Sequence, residues 1–250
     1  MARTLTVVAG TGIAISAVCL GIAVALGGAE LANLDFIHFG SNLKRCGADT
    51  GPAPTEDRRE FAWHGGNEVN VDVPATVHYR PGTGMSVIAS GPPDLVKHLR
   101  VSDSDIRFDC RGMGSDRMLD IVLPGRPLQE FTINGTGRLM LDDLDQKRLE
   151  VSIHGNADVR AAGKAEALEL SIAGSGKADL GGLAVDRAEV NIAGSGEASV
   201  APKERAEINI AGSGLIRFIT QPKKLETHIV GSGRIVNAPE NAGAAAPGTL

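Results

Sequence analysis

Between residues 131 and 238 apolar and polar positions alternate with a period of two. In the stretch 170–180, Leu170, Ile172, Gly174, Gly176, Ala178 and Leu180 share one parity, and Ser171, Ala173, Ser175, Lys177 and Asp179 the other. Such alternation predicts strands with one buried face, and the i, i+3, i+4 spacing of a helix is not sustained. Pro202, Pro222 and Pro239 are expected between or after these strands, where they interrupt no ladder.

The pattern repeats. The first glycine of each copy is Gly135, Gly155, Gly174, Gly194, Gly212 and Gly231, at successive intervals of 20, 19, 20, 18 and 19 residues. Six copies at a near-constant interval signal a repeat architecture. One such segment cannot bury its apolar face alone, whereas stacked copies pair every backbone group and close a continuous core. The fold class predicted is all-β: a parallel, right-handed β-helix or solenoid of about 19 residues per turn, each turn holding two or three short strands with tight corners.

The glycines themselves admit close packing of walls or a backbone bend with positive φ. In the second copy Ala157 stands where other copies have the second glycine, which favours close packing at that position. Between the glycines lie Thr136, Asn156, Ser175, Ser195, Ser213 and Ser232, a polar row if the copies stack in register. A GxG without a following helix and Lys-Ser/Thr lacks the geometry of a phosphate cradle. His154 occupies a slot filled elsewhere by Ala173, Ala193, Ala211 and Val230, and is read as a surface or partly packed residue, not a ligand.

Residues 61–130 are less regular. Val69, Val71, Val73, Val77 and Tyr79 alternate, "MSVIASGP", "IRFDC" and "RMLDIVLPG" add short strands, and "DLVKHLRVSDSD" allows one short helix capped by Asp94 or a loop. This half is expected to cap the first turns or to form irregular turns of the same coil.

From Leu5 to Leu26 the chain carries no charge, a length that suits a membrane-spanning helix. It reads as an uncleaved anchor or a cleaved signal, and Arg3 ahead of it favours export of the rest. The organisation predicted is an anchor or signal segment 1–28, a Pro- and charge-rich linker 29–60 that is either a semi-extended spacer throughout or ordered in part against the domain, a solenoid 61–238 (61–130 irregular, 131–238 regular), and a disordered low-complexity tail 239–250.

Composition narrows the chemistry. Aromatics are only 3% of 250 residues, so the core must be built from Ile, Val, Leu and Ala. The net charge of −5 with interspersed signs excludes a nucleic-acid-binding stripe. Cys46 and Cys110 form either a disulfide or two thiols, and no zinc-ligand spacing occurs.

The order "VNVDVP", "VIASGPPDLVKHLRV", "IRFDCRG", "MLDIVLPGRPLQEFTINGTGRL" and the train of "IAGSG" copies resembles the auto-transporter adhesin head (GIN) domain family over residues 61 to 237. The resemblance implies a right-handed β-helical domain behind a signal or anchor in a bacterial envelope. It supplies no activity and no catalytic residues.

The function expected is therefore a non-catalytic envelope domain serving as a structural or adhesion surface. Its partners would be the membrane, through the N-terminal segment, and an envelope protein or glycan; no catalytic, cofactor-binding or metal residue is assigned. The alternative is a polysaccharide-acting β-helix enzyme, for which Asp142, Asp143 and Asp145 are the nearest carboxylates. Outward Lys177, Glu197, Leu215 and Arg234 change chemistry from copy to copy and build no carboxylate row.

Overall fold

A computed structural model describes Cys46 and residues 55–112, 117–125 and 127–237. The predicted anchor and the tail beyond residue 237 lie outside them. Among the described residues no helix is long and apolar enough to cross a membrane.

The regular half is a parallel stack of coils. Strands β9 (Gly137–Gly155), β10 (Asp158–Gly174), β11 (Lys177–Gly194) and β12 (Glu197–Gly212) each run through nearly a whole turn, followed by β13 (Leu215–Phe218), β14 (Lys224–Gly231) and β15 (Arg234–Asn237). Each pairs in parallel with the equivalent residues of the next coil, so Gly135, Gly155, Gly174, Gly194, Gly212 and Gly231 lie in register. The sequence repeat is thus the coil repeat. The two or three short strands expected per turn are fused, because the backbone ladder carries on through most corners.

The corners hold irregularities instead. Register shifts fall between Leu180 and Ala184 and between Val185 and Arg187 where β11 meets β12. Pro202 sits inside β12, opposite Val185, not between strands as expected. It is accommodated at the second of those shifts, where the regular ladder is already broken. Pro222 lies outside any strand.

Parity decides the interior. Ile133, Ile153, Ile172, Ile192 and Ile210 stack inward in register and are buried. Val77, Leu139, Val159, Ala178, Ala198 and Ile216 do the same on the facing wall. No charged side chain is buried among the described residues.

The N-terminal half adds coils out of sequence order. Strands β2 (Glu68–Val71) and β3 (Ala75–Pro81) form one coil; β6 (Asp105–Phe108) and β7 (Leu119–Gly125) form another. In space β2 and β3 lie between that second coil and the coil begun by β8 (Glu130–Gly135) and β9. The chain lays down one coil, builds the next outward, then crosses back over the first. Leu128 is fully buried in that crossing, and its amide donates to the buried Tyr79 hydroxyl at 2.8 Å. Tyr79 also meets Phe131 edge-on, with ring centroids 5.0 Å apart.

Antiparallel strands close this end: β1 (Arg58–Ala62) on β4 (Ser86–Ser90), β4 on β7, and β5 (Leu99–Val101) on β6. Between β4 and β5 lies α1 (Pro93–His98). Asp94 does not cap it, contrary to expectation; Pro92 precedes the helix, Pro93 opens it, and Asp94 turns to Arg117 with bonds of 2.9 and 2.6 Å. Cys46, from the linker, is bonded to Cys110, so this pair is a disulfide and not two thiols.

Candidate functional site: the charged ladders

The two glycines of each corner play different roles. The first has φ of +93° in Gly135 and between +119° and +127° in its five successors. A Cβ on Gly174 would also lie 2.5 Å from the carbonyl oxygen of Gly155, so both constraints fall on one atom. The second glycine has no left-handed backbone; a Cβ on Gly176 would strike the Ile153 side chain at 2.6 Å. Close packing governs there, and Ala157 takes that place in its own coil fully buried. The residues between the glycines are exposed, and from Asn156 onward their amides donate to the previous coil, as from Ser195 to the Gly174 carbonyl at 2.9 Å. The corner is accounted for as backbone geometry.

A different row carries charge. Five residues before the first glycine of every copy stands a glutamate: Glu130, Glu150, Glu169, Glu189, Glu207 and Glu226. Strand pairing puts all six in one column, and Glu68 of β2 extends it to seven. Successive members are separated by one strand spacing, about 4.8 Å. Two residues earlier the column reads Arg148, Ala167, Arg187, Arg205 and Lys224. Two residues later it reads Asn70, Thr132, Ser152, Ser171, Asn191, Asn209 and His228. This wall thus carries a cationic, an anionic and a neutral polar stripe side by side.

Stacked carboxylates repel, and the cationic stripe offsets them. Arg148 reaches Glu150 at 3.0 Å and Glu169 at 2.8 Å, bridging two coils. Arg205 reaches Glu226 at 2.7 Å, and Lys224 joins the same carboxylate at 2.7 Å. Compensation is uneven along the column. Burial first, then the neighbouring Glu150 and Glu189 carboxylates, push the Glu169 carboxyl above its ordinary range against the pull of Arg148. Glu130 is raised likewise by burial and by Glu150 and Glu68. At the open end Glu226 is lowered by Lys224 and Arg205. A groove of about 320 Å³ runs between the Arg and Glu stripes, past Arg148, Glu169, Arg187 and Glu189.

The opposite wall is built otherwise. Its column Arg138, Asp158, Lys177, Glu197 alternates in sign, with pairs at 3.9 and 3.5 Å, before ending in Leu215 and Arg234. Asp142, Asp143 and Asp145 lie in β9 and are engaged by cations: Arg80 at 3.9 Å from Asp142 and 3.0 Å from Asp143, Lys164 at 2.9 Å from Asp145. His154 is exposed. His98, Asp109 and Cys110 cluster near α1, but the Cys110 sulfur is committed to the disulfide and Asp109 to His98 and Arg100.

Sequence reasoning missed the glutamate column. Its signal was the constant offset from the glycines, hidden because each Glu lies within an apolar run such as "EALEL".

The family model described as "Putative auto-transporter adhesin, head GIN domain" matches residues 67–222. Among solved structures, a putative adhesin from Bacteroides fragilis is 18% identical, with 75% of this chain and 100% of that chain covered and a TM-score of 0.60. A putative adhesin from Parabacteroides distasonis is 15% identical over 72% of this chain and 96% of that chain, with a TM-score of 0.46. A structure from the same species described as a putative lipid binding protein is 18% identical over 75% and 97%, with a TM-score of 0.45. No curated protein matches the chain. At such identities the likeness to the first structure speaks for the fold alone.

Proposed function

The chain belongs to the auto-transporter adhesin head GIN domain family, and from that premise we propose that its coil stack is a non-catalytic interaction surface held in the cell envelope. The seven-member glutamate column with its flanking cationic and polar stripes carries this reading. A periodic charged wall of this kind suits an extended partner with regularly spaced cations or hydrogen-bond donors, an envelope protein or an amino-bearing glycan. Complementary potentials of this sort supply specificity and encounter rate.

The Cys46–Cys110 bond fits an oxidising compartment outside the cytoplasm. The apolar segment 5–26 serves in this reading as the anchor or signal. The coil winds right-handed, as parallel crossover connections do.

The full chain immobilised and challenged with envelope protein and glycan fractions tests this. Retention by the natural chain that drops in the triple variant Glu169→Gln, Glu189→Gln, Glu207→Gln supports the reading. Equal retention by both chains, or none by either, refutes it.

A further inference from the structure

The two ends of the stack differ. The N-terminal end is closed by β1, β4, β5 and α1, whereas β14 pairs only with β12 and β15 only with β13 among the described residues. The last coil therefore presents one unpaired strand edge on each wall. Its inward positions are also uncovered: Ile229 is 40% exposed where Ile210, one coil below, is 2%, and Leu225 is 46% where Ala206 is 0%. The chain beyond Asn237 offers Ala, Gly, Pro and a single Leu250 as apolar residues, and two of those thirteen positions, Pro239 and Pro247, lack an amide hydrogen.

We propose that this open end is a self-association surface, on which a second copy of the chain docks β14 against β14 in antiparallel register about a two-fold axis at Thr227. In that register Leu225 faces Ile229 of the second copy, and Thr227 faces its own counterpart. All these side chains point inward, so the apolar core runs on from one stack into the next. On the outer side Glu226 faces His228, and Lys224 faces Val230, so no like charges are opposed. Moving the axis to Glu226 sets Glu226 against itself and Lys224 against His228. Moving it to His228 sets two imidazoles together and leaves Leu225 opposite Gly231. A slip by one residue turns the apolar set to water. The strand is thus self-complementary in one register among its neighbours, and an isologous contact closes at the dimer.

Cross-linking reads the register directly. In the full chain carrying Cys19→Ser, in detergent, Thr227→Cys should form a disulfide-linked dimer on mild oxidation, because facing residues lie within bonding reach. Lys224→Cys should not, since its two copies stand about 20 Å apart along the strands. Light scattering should show a dimer for the natural chain, and Ile229→Lys should weaken association by about tenfold or more. Glu226→Lys should weaken it too, with His228→Glu added to it restoring the dimer while each variant keeps its circular dichroism spectrum. A monomer at every concentration, or equal cross-linking at both positions, overturns the proposal. So does a chain that dimerises only once residues 239–250 are removed, which would make the tail the occupant of this edge.

Discussion

At Gly174 two penalties meet on one methyl group. The backbone is at φ +127°, and the added carbon would sit 2.5 Å from a carbonyl oxygen of the neighbouring coil that cannot yield. We expect Gly174→Ala to lower stability by about 2 kcal/mol or more, read from the urea midpoint. At the second position only packing is at stake, so Gly176→Ala should cost less, with an Ile153 rotamer change absorbing part of it. The glutamates make a prediction of opposite character. Glu169 has its folded-state carboxyl raised, so the folded chain holds that proton more tightly than the unfolded chain. Its contribution is favourable at acid pH and is lost as pH rises through the folded value. Glu169→Gln should then leave a chain more stable than the natural one near neutrality, with a shallower decline between acid and neutral pH. A variant less stable than the natural chain at pH 7 would show that the Arg148 bridge outweighs burial and repulsion.

Elements here are stabilised by what lies beside them. A strand as long as β9, 19 residues, carries a polar outer face and gains nothing from being alone; its amides and inward side chains are satisfied by β8, β3 and β10. The irregular end lacks that regular support and has a covalent tie instead. The Cys46–Cys110 bond spans 64 residues, a loop whose closure restricts the unfolded chain by about 4 kcal/mol in the chain-entropy account. Replacing both cysteines by serine should lower the unfolding free energy by about 2–4 kcal/mol, measured by guanidinium unfolding. Hydrogen exchange should then rise first in β1, β4 and α1 and least in β10 and β11. Uniform loss of protection across all coils would contradict this division.

At the scale of the whole domain, each coil touches only its neighbours, so a complete coil is a removable unit. Deleting residues 175–194 joins Gly174 to Ser195, which takes the corner place of its equivalent Ser175, and leaves every inward and outward parity intact. That chain should keep a strand-rich circular dichroism spectrum and unfold cooperatively at a lower temperature, having lost one layer of core. Deleting 175–184 removes half a turn, sets the corner glycine of one coil against a wall of the next, and should give an aggregated chain. The same logic makes the glutamate column a property of the stack, and its field grows with the number of coils stacked.

Period-two alternation and the glycine interval were enough to dictate parallel coils of about 19 residues, because parity alone determines which side chains can be buried and the interval alone determines which residues come to lie over one another. The isoleucine stack and the glycine corners follow from those two counts. What needed the tertiary structure is whatever depends on layer order or on irregular backbone. The crossing that places β2 and β3 inside β6 and β7 leaves no local mark, since a strand reads the same whichever strand it pairs with. Pro202 within β12 depends on a register shift set by the neighbouring coil, and the choice between disulfide and thiols depended on whether Cys46 folds back to Cys110. The glutamate column lay between these cases: its offset was in the letters, but a column of charge has meaning only once stacking at one strand spacing turns residues some 19 apart into nearest neighbours.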